Sequence, residues 1–444
     1  MKVKVCDAIC GKGKTQSCIT MMNNNKNERY IFITPYLSEV ERIKEKCSSR
    51  EFVSPEQTYE FGFSKLEALH KLLKDKKNIA STHALFGLYN DDTRELIEKG
   101  GYTLVLDEVL NIFQQVDMSV DDINILTNSN TIVNDSDKFV WNSDEYETGA
   151  FNDIKVKAKS NNLLKYRDEM YFWSIPPDIF KAFKQIYILT YMFQYQTQKY
   201  FFDIYGIEYE LIGTKKENGI YSFCSAEEMD RKMDLRDKIH ILDSEKLNKI
   251  GEENGSLSFS WYRRAANEDN QKSINTLRNN LHNLFVNIYK GESNLKMWST
   301  FKDYSGILRG KGYSKGFIAY NRRATNEFAN KRYLAYCINV YMQTWAKNYL
   351  LDKGAKDVNE NMYAMSTLIQ WVFRSAIRKG EEIWLYLPSL RMRKVFIKWL
   401  DNLAEGKDLE PINFDKTIKR NESSFKNNLM GLKDKLQLKR EIKK

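Results

Sequence analysis

The sequence predicts an α/β protein of two parallel-sheet domains in tandem, and three observations carry that expectation. Short apolar runs alternate with amphipathic helical segments along most of the chain, a glycine loop opens a helix directly after the first run, and 444 residues are enough for two such domains. The composition agrees: 42% hydrophobic and 29% charged residues with only 6 Pro describe a folded chain with a sizeable core, and exclude collagen-like or disordered polymers. No stretch approaches the roughly 18 continuous apolar residues of a membrane helix, so a membrane is not an expected partner. The first ten residues lead straight into the glycine loop, so a signal peptide is not expected.

Taken in order, the apolar runs predict strands over 2–6, 30–34, 78–81, 102–106 and 185–189, separated by helical patterns such as 65–73. The second half repeats the rhythm with strands over 238–242, 295–299, 316–319 and 382–387, and helices around 273–289, 327–337, 362–377 and 391–403. The polar, Gly-flanked stretch 213–219 (GTKKENG) sets the boundary, giving domains over 1–215 and 216–415 and a basic tail over 416–444. Two segments break the alternation and read as insertions: 117–168, rich in Asn, Asp and Ser, and 251–271.

The cysteines Cys6, Cys10, Cys18, Cys47, Cys224 and Cys337 show no paired spacing, which points to reduced thiols in a cytosol. Cys6 and Cys10 have no second pair at zinc-like spacing and read as small buried apolar side chains. Lys and Arg outnumber Asp and Glu by 69 to 59, and the segment 416–444 alone holds ten basic against three acidic residues. Such a tail suits a phosphate backbone, whose counterions Lys and Arg displace. Phe425, Leu429, Leu432 and Leu436 recur at helical spacing, so a helix packed on the preceding domain fits equally well.

Three motifs carry chemistry. After the first strand, Ala8, Gly11, Gly13, Lys14 and Thr15 follow the order A-x-x-G-x-G-K-T. The glycines let successive N–H groups face a triphosphate at a helix N-terminus, Lys14 would reach the β- and γ-phosphates, and Thr15 supplies a hydroxyl for Mg²⁺. YTLVLDEVL then sets Asp107 and Glu108 at the end of an apolar strand, where ligands of an open parallel sheet collect. Asp107 would hold Mg²⁺ through its water shell, and Glu108 would polarise the attacking water. Finally, LIQWVFRSAIR spaces Gln370, Arg374 and Arg378 at i, i+4 and i+8, one face of a helix whose arginines could neutralise charge on a γ-phosphate.

These motifs, in this order, resemble a superfamily 2 helicase with a DEAD/DEAH-like ATPase core, and more specifically its bacteriophage-encoded members, over about residues 1–405. The resemblance implies two RecA-like domains with an ATP cleft between them, an ATP site that includes Gly11, Lys12, Gly13, Lys14, Thr15 and Gln16, and a nucleic-acid strand, DNA by the phage likeness, across both domains. It further implies nucleic-acid contacts or coupling at Thr34, Pro35, Thr82, His83, Thr190, Thr300, Thr325 and Asn326. The family's upstream Gln motif has no counterpart before Val3, which leaves adenine recognition without an obvious residue. Asp107-Glu108 is followed by Val109-Leu110, which fits neither named box family, and Arg378 lies eight residues after Gln370 rather than seven, so either Arg378 or Arg374 could be the finger. The implied activity is that of an ATP-driven, Mg²⁺-dependent DNA helicase or translocase in phage replication or recombination, a monomer in the host cytoplasm. A nucleic-acid-stimulated ATPase that clamps or remodels without unwinding is the alternative. A packaging ATPase with a nuclease domain would need an acidic metal cluster that Asp352, Asp357 and Asp401 do not form.

Overall fold

The computed structural model describes residues 2–412 except 57–63, 117, 137, 147–148, 161, 168–169, 323–325 and 408–409. The chain divides into two units, the first formed by Met1–Met229 and Gln343–Val358, the second by Asp230–Met342 and the chain from Asn359 onward. The basic segment 416–444 lies outside the described residues.

In unit 1, β1 (Val3–Asp7), β2 (Arg29–Thr34), β3 (Ile79–Thr82) and β4 (Tyr102–Asp107) come first. They are followed by β5 (Phe113–Gln115), β6 (Ile132–Asp135), β7 (Lys138–Trp141), β8 (Leu163–Tyr166) and β9 (Met170–Ser174), and then by β10 (Gln185–Thr190), β11 (Tyr209–Glu217) and β12 (Ile220–Ser225). The main sheet runs β12-β11-β1-β10-β4-β2-β3 and is parallel except for β12. Ile31, Phe32 and Ile33 of β2 and Leu104, Val105 and Leu106 of β4 are all fully buried, because a parallel sheet is covered on both faces and its central strands turn no side to water. The parallel α/β architecture expected of the first half is thus the one observed.

The expected insertion over 117–168 is wider and better ordered than its polar composition suggests. Strands β5 to β9 form an antiparallel sheet in the order β5-β9-β8-β7-β6. Its apolar face is aromatic, and the helix Thr344–Asp352 returns to unit 1 to cover it, with Trp345 and Tyr349 packed 5.2 and 4.8 Å from the Phe172 ring.

Unit 2 is built on β13 (Ile239–Ile241), β14 (Lys296–Ser299), β15 (Tyr333–Tyr336) and β16 (Ile383–Tyr386), all parallel in the order β13-β16-β15-β14. Three expectations are corrected here. The segment expected to be a helix over 327–337 contains β15, because Leu334, Ala335 and Tyr336 are consecutive and all buried, a pattern that a helix with one exposed face cannot accommodate. The expected strand over 316–319 contributes one bridge, Trp298 to Phe317. The expected insertion over 251–271 is part of the core: Leu257, Tyr262 and Ala265 are buried in it, and the Tyr262 hydroxyl donates to the Cys337 carbonyl at 2.7 Å.

The expected boundary at 213–219 is also displaced. That stretch is the tip of the β11–β12 hairpin, closed by Asn218 and Gly219 at φ 50° and 84°, so its polar, glycine-flanked character marks a tight turn inside unit 1. No helix among the described residues is long and apolar enough to cross a membrane.

Candidate active site

Between β1 and the first helix, α1 (Lys14–Asn24), the loop bends through Gly11 at φ 90° and Gly13 at φ 81°. A side chain resists that left-handed backbone, which is why glycine stands at both positions. Gly13 is the N-cap of α1 and offers no side-chain cap, so the first N–H groups of the helix stay open toward an anion. Lys14 Nζ donates to the Ala8 carbonyl, bringing the ammonium across the mouth of the loop.

The carboxylate pair ends β4. Thr15 Oγ1 donates to Asp107 Oδ1 at 3.3 Å and Thr34 Oγ1, fully buried at the end of β2, donates to Asp107 Oδ2 at 3.4 Å. His83 Nε2 donates to the Asp107 carbonyl at 3.1 Å, which requires the tautomer with its proton on Nε2. Desolvation, with Glu108 and Glu39 nearby, pushes the Asp107 carboxyl up to about 7 in spite of Lys14 and Arg42. Glu108 takes φ 73°, an uncommon conformation for a side chain of this size.

Strand β10 lies between the two motifs and ties them together. The Leu189 carbonyl accepts from Glu108 N and the Thr190 carbonyl accepts from Ala8 N, both at 3.0 Å. Thr190 Oγ1 is buried and donates to Gln196 Oε1 at 3.2 Å, while the Asp7 carboxylate accepts from Met192 N at 2.6 Å and Phe193 N at 3.0 Å. The glycine loop, the end of β10 and Glu108 are thus joined by backbone hydrogen bonds.

The expected residues sort into those that converge and those that do not. Thr15, Thr34, His83 and Asp107 meet at one point, with Lys14 and Glu108 next in sequence, while Thr190 is joined to Ala8 and Gln196 instead. Gln16 is exposed on the first turn of α1, Pro35 and Thr82 follow at the ends of β2 and β3, and Thr300 is wholly buried in unit 2. Thr325 and the Asn326 side chain lie outside the described residues.

The arginine face is corrected. The helix Glu360–Val372 ends before Arg374, and Arg378 sits in a separate turn, Ala376–Lys379, capped by Ser375 Oγ. Gln370, Arg374 and Arg378 do not share a helix face, because Ser375 is extended at ψ −172° and breaks the helical path between them. Arg374 is buried and donates to the Tyr320 carbonyl at 3.5 Å, whereas Arg378 is exposed.

The residues that sequence reasoning passed over lie on the other flank of the loop. Thr214 Oγ1 donates to the Lys12 carbonyl at 2.6 Å, and the Tyr221 ring lies against Gly13. Both belong to the hairpin whose tip had read as a boundary. Asp7 is a third, and nothing in its spacing marks it.

The donor set suits Mg²⁺, since one carboxylate and one hydroxyl meeting beside a nest of backbone N–H groups is what that ion takes when phosphate and water complete its shell.

Comparison with known proteins places the chain further. Residues 233–400 match the family described as the YonV C-terminal Rossmann-like domain, and residues 113–173 the YonV middle domain, which coincides with β5 to β9. The SPbeta prophage-derived uncharacterized protein YonV of Bacillus subtilis (strain 168) is 44% identical over 414 residues, covering 90% of this chain and 99% of that protein. Among solved structures, that of S. tokodaii Xpd4 overlays with a TM-score of 0.43 at 12% identity, over 90% of this chain and 94% of that one.

Proposed function

The chain belongs to the YonV family, and from that premise we propose that it is a nucleic-acid-stimulated ATPase, working on phage DNA as a helicase or translocase. The observation that carries this reading is the convergence of Thr15, Thr34 and His83 on Asp107 beside Glu108, at the ends of parallel strands that also present the phosphate loop. A structural ion pair would put a cation on Asp107. Here hydroxyls hold it, which leaves its charge for a metal.

On this reading Gly11, Lys12, Gly13, Lys14, Thr15 and Gln16 bind the triphosphate, and Lys14 exchanges the Ala8 carbonyl for β- and γ-oxygens. Thr15 and Asp107 hold Mg²⁺, which offsets phosphate charge when bound. Glu108 takes the proton of the attacking water, and its strained turn orients the carboxylate for that task. Thr190 and Gln196 link the loop to the end of β10. Arg378 supplies positive charge to the γ-phosphate. Pro35 and Thr82 contact the nucleic-acid backbone from unit 1, and the tail 416–444 adds phosphate contacts. Thr34 belongs with Asp107 rather than with nucleic acid. The prophage origin of the relative supports a role in phage DNA replication or recombination in a host cytoplasm.

The test is ATP hydrolysis with single-stranded DNA, duplex, forked DNA or RNA as stimulant, followed by strand displacement on the best of them. DNA-stimulated hydrolysis with displacement is the expected result. Stimulation without displacement would make the protein a clamp or remodeller, and hydrolysis indifferent to every nucleic acid would remove the reading.

A further inference from the structure

The residues assigned so far account for the phosphates and leave the nucleoside without a partner. The sheet order gives the site a direction. Asp107 and Glu108 lie two strands from β1 on the β10 side, so the reacting γ-phosphate belongs on that flank and the nucleoside on the opposite one. The opposite flank is the β11–β12 hairpin.

Register and alternation decide which hairpin side chains face the loop. Thr214 pairs with Phe223 and Lys216 with Tyr221, and alternation puts all four on one face. Thr214 grips the Lys12 carbonyl, and Phe223 packs on the core that includes Cys18, Ile19 and Met22 of α1. Tyr221 comes so close to Gly13 that a Cβ there would stand 2.1 Å from its ring. Lys216 Nζ lies 5.2 Å from the centroid of the same ring, while Lys215, on the other face, is paired with Glu217 and Glu228. A half-exposed aromatic ring and an exposed ammonium therefore stand together against the second glycine of the phosphate loop.

Resting on the nucleotide reading above, we propose that the β11–β12 hairpin is the nucleoside wall of this site, with Tyr221 packing against the base and ribose of a nucleoside triphosphate and Lys216 beside its α-phosphate. A ring contact reads the π face that every base has and no hydrogen-bonding edge. The substrate class is accordingly nucleoside triphosphates, with little choice between adenine and guanine.

Calorimetric titration of the full chain in Mg²⁺ with ATP, GTP and inorganic tripolyphosphate separates the two ends of the ligand. Wild type should bind ATP and GTP within a few-fold of each other. Tyr221→Ala should weaken both by about ten-fold and leave tripolyphosphate within about two-fold, while Tyr221→Phe binds all three as wild type does. Lys216→Ala should weaken all three. If Tyr221→Ala melts, Tyr221→Leu fills the same space without a π system and allows the same comparison. An equal loss for ATP and tripolyphosphate would mean that the ring only props the loop, and no loss for either would mean that the nucleoside lies elsewhere; each overturns the proposal. A wild-type chain that binds tripolyphosphate but no nucleotide also overturns it, whereas one that binds none of the three removes the nucleotide reading itself.

Discussion

Both units end parallel strands in polar residues, and they use them differently. In unit 1 the strand-end side chains Thr34 and His83 and the helix residue Thr15 gather on a single acidic residue, Asp107. In unit 2 the polar weight near the strand ends is arginine directed at backbone oxygens. Arg391 donates to the carbonyls of Val340 and Glu360 and to the Asn339 and Asn361 side chains, Arg393 to the carbonyls of Leu387 and Pro388 and to the Glu252 carboxylate, and Arg374 to the Tyr320 carbonyl. A carboxyl held by hydroxyls, with no cation fixed on it, can give up its proton for a metal. A buried guanidinium committed to carbonyls cannot leave them without orphaning both partners. On the proposed reading the contrast separates a reactive cluster from a scaffold, and of the two motif arginines it is Arg378, exposed just beyond Arg374, that keeps the freedom to act.

The largest effects should fall in unit 1. Lys14→Ala should bring ATP hydrolysis to background while the melting temperature holds, because the ammonium contributes one exchangeable contact to the fold. Glu108→Gln should lose turnover by roughly 10³-fold or more yet keep nucleotide affinity, since an amide cannot accept the proton of water. Steady-state hydrolysis beside nucleotide titration checks both, and normal turnover in either variant would dissolve the unit 1 side of the contrast.

The next effect tests unit 2. Arg378→Ala should lower nucleic-acid-stimulated turnover by up to roughly 10³-fold with an unchanged melting temperature. Arg374→Ala should do the reverse in kind: removal of a buried donor costs roughly 1–3 kcal/mol of stability, and turnover falls only as far as the fold does. Thermal melts run with the hydrolysis assay distinguish the two. Equal losses of turnover at equal stability would mean that Arg374 leaves its carbonyl to work on substrate, and the scaffold description would fail.

The same contrast explains what the sequence made legible. The glycine loop and Asp107-Glu108 were legible as local patterns, glycines at fixed offsets or acids at the end of an apolar run, and the positive-φ glycines and the strand ending at Asp107 lie where those patterns put them. The arginine spacing misled because Gln370, Arg374 and Arg378 satisfy helical periodicity on paper, while the chain leaves the helical path at Ser375, where Ala376 N donates to the distant Lys331 carbonyl. The strand β15 was misread for a related reason, since a four-residue apolar run fits either period. Thr214 and Tyr221 were missed although the signal was present: alternating residues on both sides of Asn218-Gly219 announce a two-residue hairpin, and weighing that dipeptide as a linker hid the flank of the site. The pairing of Thr34 with Asp107 joins residues 73 apart in sequence and could come only from the fold.

The smallest effect is on stability, and it probes whether the unit 1 cluster is reactive or structural. Burial, then Glu108 and Glu39, raise the Asp107 carboxyl from 3.8 to about 7. Between about pH 4 and pH 7 the folded chain then holds a proton that the unfolded chain has released, so this group favours folding at the acid end and that contribution is lost as pH rises through 7. Asn cannot ionise and occupies nearly the same volume. Nucleotide-free Asp107→Asn should therefore melt a few degrees above wild type near pH 8, with the gap closing toward pH 5, while Mg²⁺-dependent turnover is lost. If the variant instead melts below wild type near pH 8, the Thr15 and Thr34 hydroxyls stabilise the carboxylate by more than its burial costs. Asp107 would then be a structural anchor like Arg374, and the difference between the two units would disappear.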